Sequence, residues 1–227
     1  ELSANVAAKI SLPKQHDKEI IRLERHEIEK ILNAAEDGEG MSAHQRKILL
    51  NTRARDVAIL SLLLGTGIRV SECVGLNVTD VDFDTNAFTV TRKGGSRAIL
   101  YFNDDVKEAL RYYVDGERKA LLSRTEKLSV PDPDALFLSL QVKRICVRAV
   151  ENLVKKYAAV ASPLKKISPH KLRSTYGTNL YRATGDIYMV ADVLGHRDVN
   201  TTKKHYAAIE QDHRRAAAKA VTLREDD

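Results

Sequence analysis

Two β-rich runs, residues 87 to 91 and 98 to 102, flank Arg92-Lys93-Gly94-Gly95-Ser96-Arg97, and they form the one convincing strand pair in the sequence. The adjacent glycines supply the positive φ angles that a tight hairpin turn needs. Sheet is thereby confined to this neighbourhood: residues 78 to 83 can add a third strand, and 136 to 138 one more short one. The patterned segments on either side read as helices. The expected fold class is therefore mainly α with a small antiparallel β-sheet (α+β) inserted near the middle of the chain.

Ahead of the hairpin, residues 24 to 35 place Ile28, Ile31 and Leu32 on one helical face. Residues 36 to 42, with Gly38 and Gly40, read as a loop. Residues 47 to 64 read as one strongly apolar helix stopped by Gly65 and Gly67, and a short helix through residues 69 to 75 follows. Behind the hairpin, Asn103-Asp104 should cap a long helix reaching about Leu122. Further helices are expected over 142 to 159, 169 to 183, 187 to 194, 201 to 206 and 210 to about 221. Ser168 and Pro169 have the N-cap and N1 chemistry of a helix start, and Gly185 and Gly195 end successive helices.

At 227 residues the chain can bury a substantial core, and 43% hydrophobic with 30% charged residues is ordinary for a globular protein. No run approaches the ~18 apolar residues of a membrane span, so no membrane partner is expected. Residues 1 to 20 have no sustained period and read as an interdomain linker or arm; a start at Glu1 rather than methionine suggests a longer parent. Cys73 and Cys146 lack paired motifs and read as reduced, buried thiols of a cytosolic protein. The net charge of +6 tilts toward a polyanionic partner. Neither a zinc spacing nor a phosphate-binding loop is present in the sequence, so neither metal nor cofactor is expected.

Four segments carry candidate chemistry: Gly65-Thr66-Gly67-Ile68-Arg69-Val70-Ser71-Glu72, the Lys93 hairpin, His170-Lys171-Leu172-Arg173, and Leu194-Gly195-His196 followed ten residues later by Tyr206. Taken singly, each has a bland reading: a solvated arginine, a chance HxxR, a tyrosine plugging the core. Their joint order, with the flanks LLLGTGIRVSEC, ISPHKLRSTYGTNL and VADVLGHRDVNTTKKHY, resembles the catalytic signature of the tyrosine recombinases, the integrase family. The likeness runs from about Glu24 to Tyr206. It implies a tyrosine recombinase catalytic-domain fold over residues 21 to 207, a C-terminal helix or tail over 208 to 227, and no N-terminal core-binding domain within this chain.

The resemblance also implies roles. Arg69 and Arg173 would clamp the scissile phosphate, a task that suits a planar, permanently charged fork. Glu72, three residues after Arg69, would orient that clamp or form an ordinary surface pair. His170 would assist deprotonation of the nucleophile Tyr206; its place in a first helical turn favours the neutral form that a base needs. His196 would hydrogen-bond the phosphate, and many family members carry tryptophan or histidine there. Lys93 would protonate the leaving 5′-oxygen. The product would be a 3′-phosphotyrosine and a free 5′-hydroxyl, formed without metal or ATP.

Arg92 and Arg97 beside Lys93, Lys165-Lys166 before the HxxR helix, and Arg144 and Arg148 around the helix expected over 142 to 159 are candidate DNA contacts. Expected partners are double-stranded DNA bearing a specific recombination site, further copies in a homotetramer held through the C-terminal tail, and accessory DNA-bending factors. The expected setting is the bacterial cytoplasm, at the nucleoid. Integration and excision of a mobile element is the leading functional reading. An Xer-type resolvase of chromosome dimers, a type IB topoisomerase, and a DNA-binding module without catalysis are the alternatives.

Overall fold

The helix boundaries follow from local chemistry at each end. A computed structural model describes residues 21–92, 94–124, 132–196, 198–199 and 202 of the chain. Helix α1 (Arg25–Glu36) buries Ile31, Ala34 and Ala35 on one face. Helix α2 (Ala43–Leu49) starts at Ser42, whose hydroxyl accepts from the Gln45 backbone N–H. Helix α3 (Arg53–Thr66) is buried on nearly every side, with Ala58, Ile59, Leu60, Leu62 and Leu63 at its centre. It packs against α1 and, further along the chain, against α5 and α8, and so forms the axis of the molecule.

The expectation of one helix over 47 to 64 is corrected to two, α2 and α3. Thr52 at the break donates its hydroxyl to Asp56, and the Glu117 carboxylate accepts the Ala54 backbone N–H at 2.9 Å, so distant residues cap a new helix start. Leu50 in the linker is 81% exposed. Its apolar character fits the periodic pattern but does not bury it.

Helix α4 (Val70–Gly75) leads through a 3₁₀ turn at Val78–Asp80 into the sheet. The sheet has order β1 (Val81–Asp82), β2 (Ala87–Thr91), β3 (Arg97–Tyr101), antiparallel throughout, with Val81 opposite Phe88 and Ala87 opposite Tyr101. Gly94 and Gly95 have φ of 96° and 83°, as the hairpin turn requires. The third strand is thus shorter than the expected 78 to 83. Residues 135 and 138 form only single bridges, to Asn77 and Arg144.

Helix α5 (Asp104–Tyr112) is capped by Asn103 Oδ1, which accepts from Val106 N at 3.1 Å. A π-helical stretch, Tyr113–Arg118, separates it from α6 (Lys119–Ser123), so the long helix is continuous but changes pitch. Helix α7 (Val147–Ala161) begins later than expected because Val142 adopts φ 58° and Arg144 is drawn into a bridge. Cys73 is fully buried, which pushes its thiol up to about 12. The same expectation for Cys146 is corrected: it is exposed, because it occupies the N-cap of α7 and stands outside the apolar face of that helix.

Helices α8 (Pro169–Thr184) and α9 (Ile187–Leu194) end at Gly185 and Gly195, both left-handed, as expected. Ser168 and Pro169 hold the N-cap and N1 positions of α8, although the serine hydroxyl makes no capping bond. Asp186 caps α9 by accepting from the Tyr188 and Met189 N–H groups. No helix among the described residues is long and apolar enough to cross a membrane.

Candidate active site

The C-terminal ends of α3 and α9 meet, and cationic side chains gather on their carbonyls. Helix α3 ends at Gly67 in the left-handed conformation, φ 63°. A Cβ there would lie 2.4 Å from Tyr176 Cδ1 and 3.0 Å from Leu194 Cδ2, so only glycine fits between the two helices. Burial raises the Tyr176 phenol above its ordinary value. That tyrosine serves as a spacer packed on Gly67.

Arg173, on α8, is 7% exposed and donates from Nη1 to Gly67 O at 2.5 Å and from Nη2 to Leu194 O. One guanidinium therefore ties together two helix C-termini. Such ends carry partial negative charge, which favours a cation beside them. Two residues beyond the end of α3, Arg69 occupies the N-cap of α4. Its Nη2 donates to Gly195 O at 3.0 Å, and its Nη1 donates to Glu72 Oε1 at 2.8 Å. The other Glu72 oxygen accepts the Arg69 backbone N–H at 3.0 Å, so the largely buried carboxylate holds both the main chain and the side chain of Arg69. The Arg69–Glu72 pairing on one helix turn is therefore present.

Past Gly195 (φ 60°), the chain turns to His196. The His196 backbone N–H donates to Ala191 O at 2.9 Å, and its Nδ1 hydrogen-bonds the hydroxyl of the buried Thr202 at 2.7 Å. Both contacts fix the ring's position. Arg92, at the end of β2, reaches the same helix end and donates to Val193 O at 3.1 Å. The structure thus brings Arg69, Glu72, Arg173, His196 and Arg92 to the Asp192–Gly195 turn.

His170 lies exposed in the first turn of α8, three residues before Arg173 on the same helix. Lys93 and Tyr206 lie outside the described residues. The candidate DNA contacts separate into two groups. Arg97, Arg148 and Lys166 are exposed. Arg144 is turned inward: its five N–H donors meet Asp132, Asn77 Oδ1 and the carbonyls of Val74 and Leu76, which makes it a clasp between loops in this conformation. Lys165 binds Glu27 at 2.6 Å and Arg22 O at 3.1 Å, and so holds the start of α1.

Sequence reasoning missed the carbonyl acceptors of Gly67, Leu194 and Gly195, and also Thr202. The first three were signalled only indirectly, by glycines that end helices; Thr202 carries no local signal. Among the described residues no group of three or more His, Cys, Asp or Glu could hold a metal ion.

Against known proteins, residues 21–213 match the phage integrase family. The chain is 38% identical over 152 residues to the tyrosine recombinase XerC of Thermodesulfovibrio yellowstonii, a match that covers 67% of this chain and 50% of the relative. It spans about half the length of the curated relatives it matches. Among solved structures, XerA recombinase superposes with a TM-score of 0.71 at 25% identity, covering 91% of this chain and 67% of that one. The Tn1549 transposon integrase in complex with transposon right end DNA shares the fold, with a TM-score of 0.63 at 21% identity over 96% of this chain and 70% of its own.

Proposed function

The chain belongs to the phage integrase family, and on that premise we propose that it is the strand-cleaving part of a site-specific DNA recombinase. The observation that carries this reading is the convergence of Arg69, Arg173 and His196 on the turn after α9, each fixed by partners within the fold. Attack on a phosphodiester builds negative charge on the non-bridging oxygens, and a fixed constellation of cationic donors is what meets it at low reorganisation cost.

In this reading the Tyr206 hydroxyl attacks the phosphorus and its proton passes to His170. As the bond from phosphorus to the tyrosine oxygen forms, the bond to the 5′-oxygen breaks, and Lys93 gives that oxygen a proton. The products are a 3′-phosphotyrosine and a 5′-hydroxyl. The ester retains the bond energy, so attack by the 5′-hydroxyl of a second strand reverses the step and joins the new partner. Arg69 and Arg173 hold the non-bridging oxygens, Glu72 orients Arg69, and His196 donates to the phosphate. A guanidinium has five N–H donors, enough to serve a phosphate beside a carbonyl.

Double-stranded DNA with a specific site is the proposed partner. Arg148, Asn152 and Lys155 form an exposed stripe along α7, opposite its buried face of Val150, Leu153, Val154 and Tyr157. That stripe, with Arg97 and Lys166, is the proposed contact with backbone phosphates. Assembly is proposed as a homotetramer on DNA through the tail over 208 to 227, with accessory DNA-bending factors, in the bacterial cytoplasm.

The proposed role is integration and excision of a mobile element, and the likeness in fold to the Tn1549 transposon integrase is compatible with it. A second reading, resolution of chromosome dimers, is favoured by the XerC name of the 38% identical relative. Covalent trapping tests the chemistry that both share. A nicked suicide duplex bearing the recombination site, incubated in chelator, should give a protein–DNA adduct on a denaturing gel, and Tyr206→Phe should give none. No adduct from the full-length protein on its own site would favour a DNA-binding module without catalysis.

A further inference from the structure

Arg92 does not point away from the protein as a simple phosphate contact would. Its Nη2 donates to Val193 O at 3.1 Å, and both Nη1 and Nη2 lie 3.5 Å from Asp192 O. The guanidinium lies directly against Gly195: a Cβ there would come within 2.2 Å of Nη1 and 2.5 Å of Cζ. Its Nε is buried and, among the described residues, has no hydrogen-bond partner. Contact with the glycine and the two carbonyls, rather than complete hydrogen bonding, therefore sets its position.

The main chain of the same residue closes the hairpin. Arg92 N donates to Ser96 O at 2.8 Å, and Arg92 O accepts from Gly95 N at 3.0 Å. A single residue is thus both the root of the β2–β3 turn and a strap across to the end of α9. The next residue in the chain is Lys93. The carbonyls it straps are those of the helix whose last residues, Leu194 and Gly195, receive Arg173 and Arg69.

We infer that Arg92 is a positioning residue that ties the leaving-group acid to the phosphate clamp, so that the hairpin bearing Lys93 and the turn bearing His196 are held as one unit. This rests on the recombinase reading, in which Lys93 protonates the 5′-oxygen. Glycine at 195 is then required for a second reason besides its φ: any side chain would displace the strap.

The test compares Arg92→Ala with the unaltered full-length protein in single-turnover cleavage of two suicide duplexes of one sequence. One has the ordinary 5′-oxygen leaving group; the other has a bridging 5′-sulfur, whose thiolate departs without a proton. The expected result is a slowing of about tenfold or more on the oxygen substrate, in line with impaired general-acid catalysis. On the sulfur substrate the rate should be near that of the unaltered protein, with DNA affinity and melting temperature unchanged. Arg92→Lys should recover only part of the loss, since an ammonium cannot lie flat on Gly195 and span two carbonyls. Equal slowing on both substrates, weaker DNA binding with a shallower salt dependence, or no effect at all would overturn the inference. If the unaltered protein forms no Tyr206-dependent adduct on either duplex, the recombinase reading falls, and this role for Arg92 falls with it.

Discussion

Arg69 and Arg173, on different helices, donate to consecutive carbonyls, those of Gly195 and Leu194. The spacing of two cationic forks is thereby set by one peptide unit at the end of α9. Side chains held in this way need little rearrangement when negative charge develops between them, which is the condition for strong electrostatic catalysis.

Removing either fork should abolish most cleavage while affecting folding differently. Arg173→Ala and Arg69→Ala should each reduce the single-turnover cleavage rate by ~10²–10³. Arg173 is buried and bridges α3 to α9, so its loss should also lower stability by about 2–4 kcal/mol in urea denaturation. Arg69 is more exposed, and after its loss the largely buried Glu72 carboxylate keeps the backbone N–H of residue 69 as a partner, so stability should fall less, by about 1–2 kcal/mol. Equal destabilisation by the two variants would show that the difference in burial does not govern their structural roles.

In the proposed reaction Glu72 acts only through Arg69, whose backbone and side chain it holds. Glu72→Gln keeps an acceptor for the Arg69 backbone N–H but removes the charge that steadies the guanidinium. Cleavage should fall about tenfold, between the unaltered protein and Arg69→Ala. In the Arg69→Ala background the same change should have little further effect, and an additive loss would separate the two residues.

Glu27 should make the protein sensitive to acid. Burial alone would raise its carboxyl, but hydrogen bonds from Lys165 and Ser162 outweigh that and hold it at about 2, against an ordinary 4.5. A carboxyl depressed by folding contributes stability that is fully present above the unfolded value. That contribution is lost as pH falls from 4.5 toward 2. It amounts to at most about 3 kcal/mol. Denaturation midpoints followed from pH 6 to 2.5 should fall more steeply for the unaltered protein than for Glu27→Gln; parallel curves would remove Glu27 from the account of acid sensitivity.

The exposed and the inward-turned cations should behave differently on DNA. Arg148→Ala and Lys155→Ala should each weaken binding and reduce the slope of log affinity against log salt by about one. Arg144→Ala should leave that slope unchanged and instead destabilise the fold, because it removes the clasp among Asp132, Asn77 and the carbonyls of Val74 and Leu76. A salt slope altered by Arg144→Ala would return it to the phosphate contacts.

Much of this arrangement was legible in the residues. The hairpin showed through its paired glycines, α8 and α9 through Pro169 and the terminal Gly185 and Gly195, and the Arg69–Glu72 pair through its i, i+3 spacing. What stayed hidden depended on distant partners. The break between α2 and α3 needs Glu117 to cap Ala54, and no local pattern reports a capping group from another helix. The inward turn of Arg144 likewise depends on acceptors from residues 74 to 77 and 132. Periodicity gives the face of a helix but not the residue that meets it, which is why exposed Cys146 and committed Arg144 both escaped it.

Esterification of Tyr206 to DNA would distinguish it from every other nucleophile in the chain, and it can be read by mapping the covalent attachment. The adduct formed on a suicide duplex would be digested with nuclease and trypsin, and the nucleotide-bearing peptide sequenced by mass spectrometry. The expected result is a nucleotide on Tyr206 within the peptide from His205 to Arg214. A nucleotide on another residue, such as Tyr176 or Tyr181, or an adduct that persists in Tyr206→Phe, would contradict it.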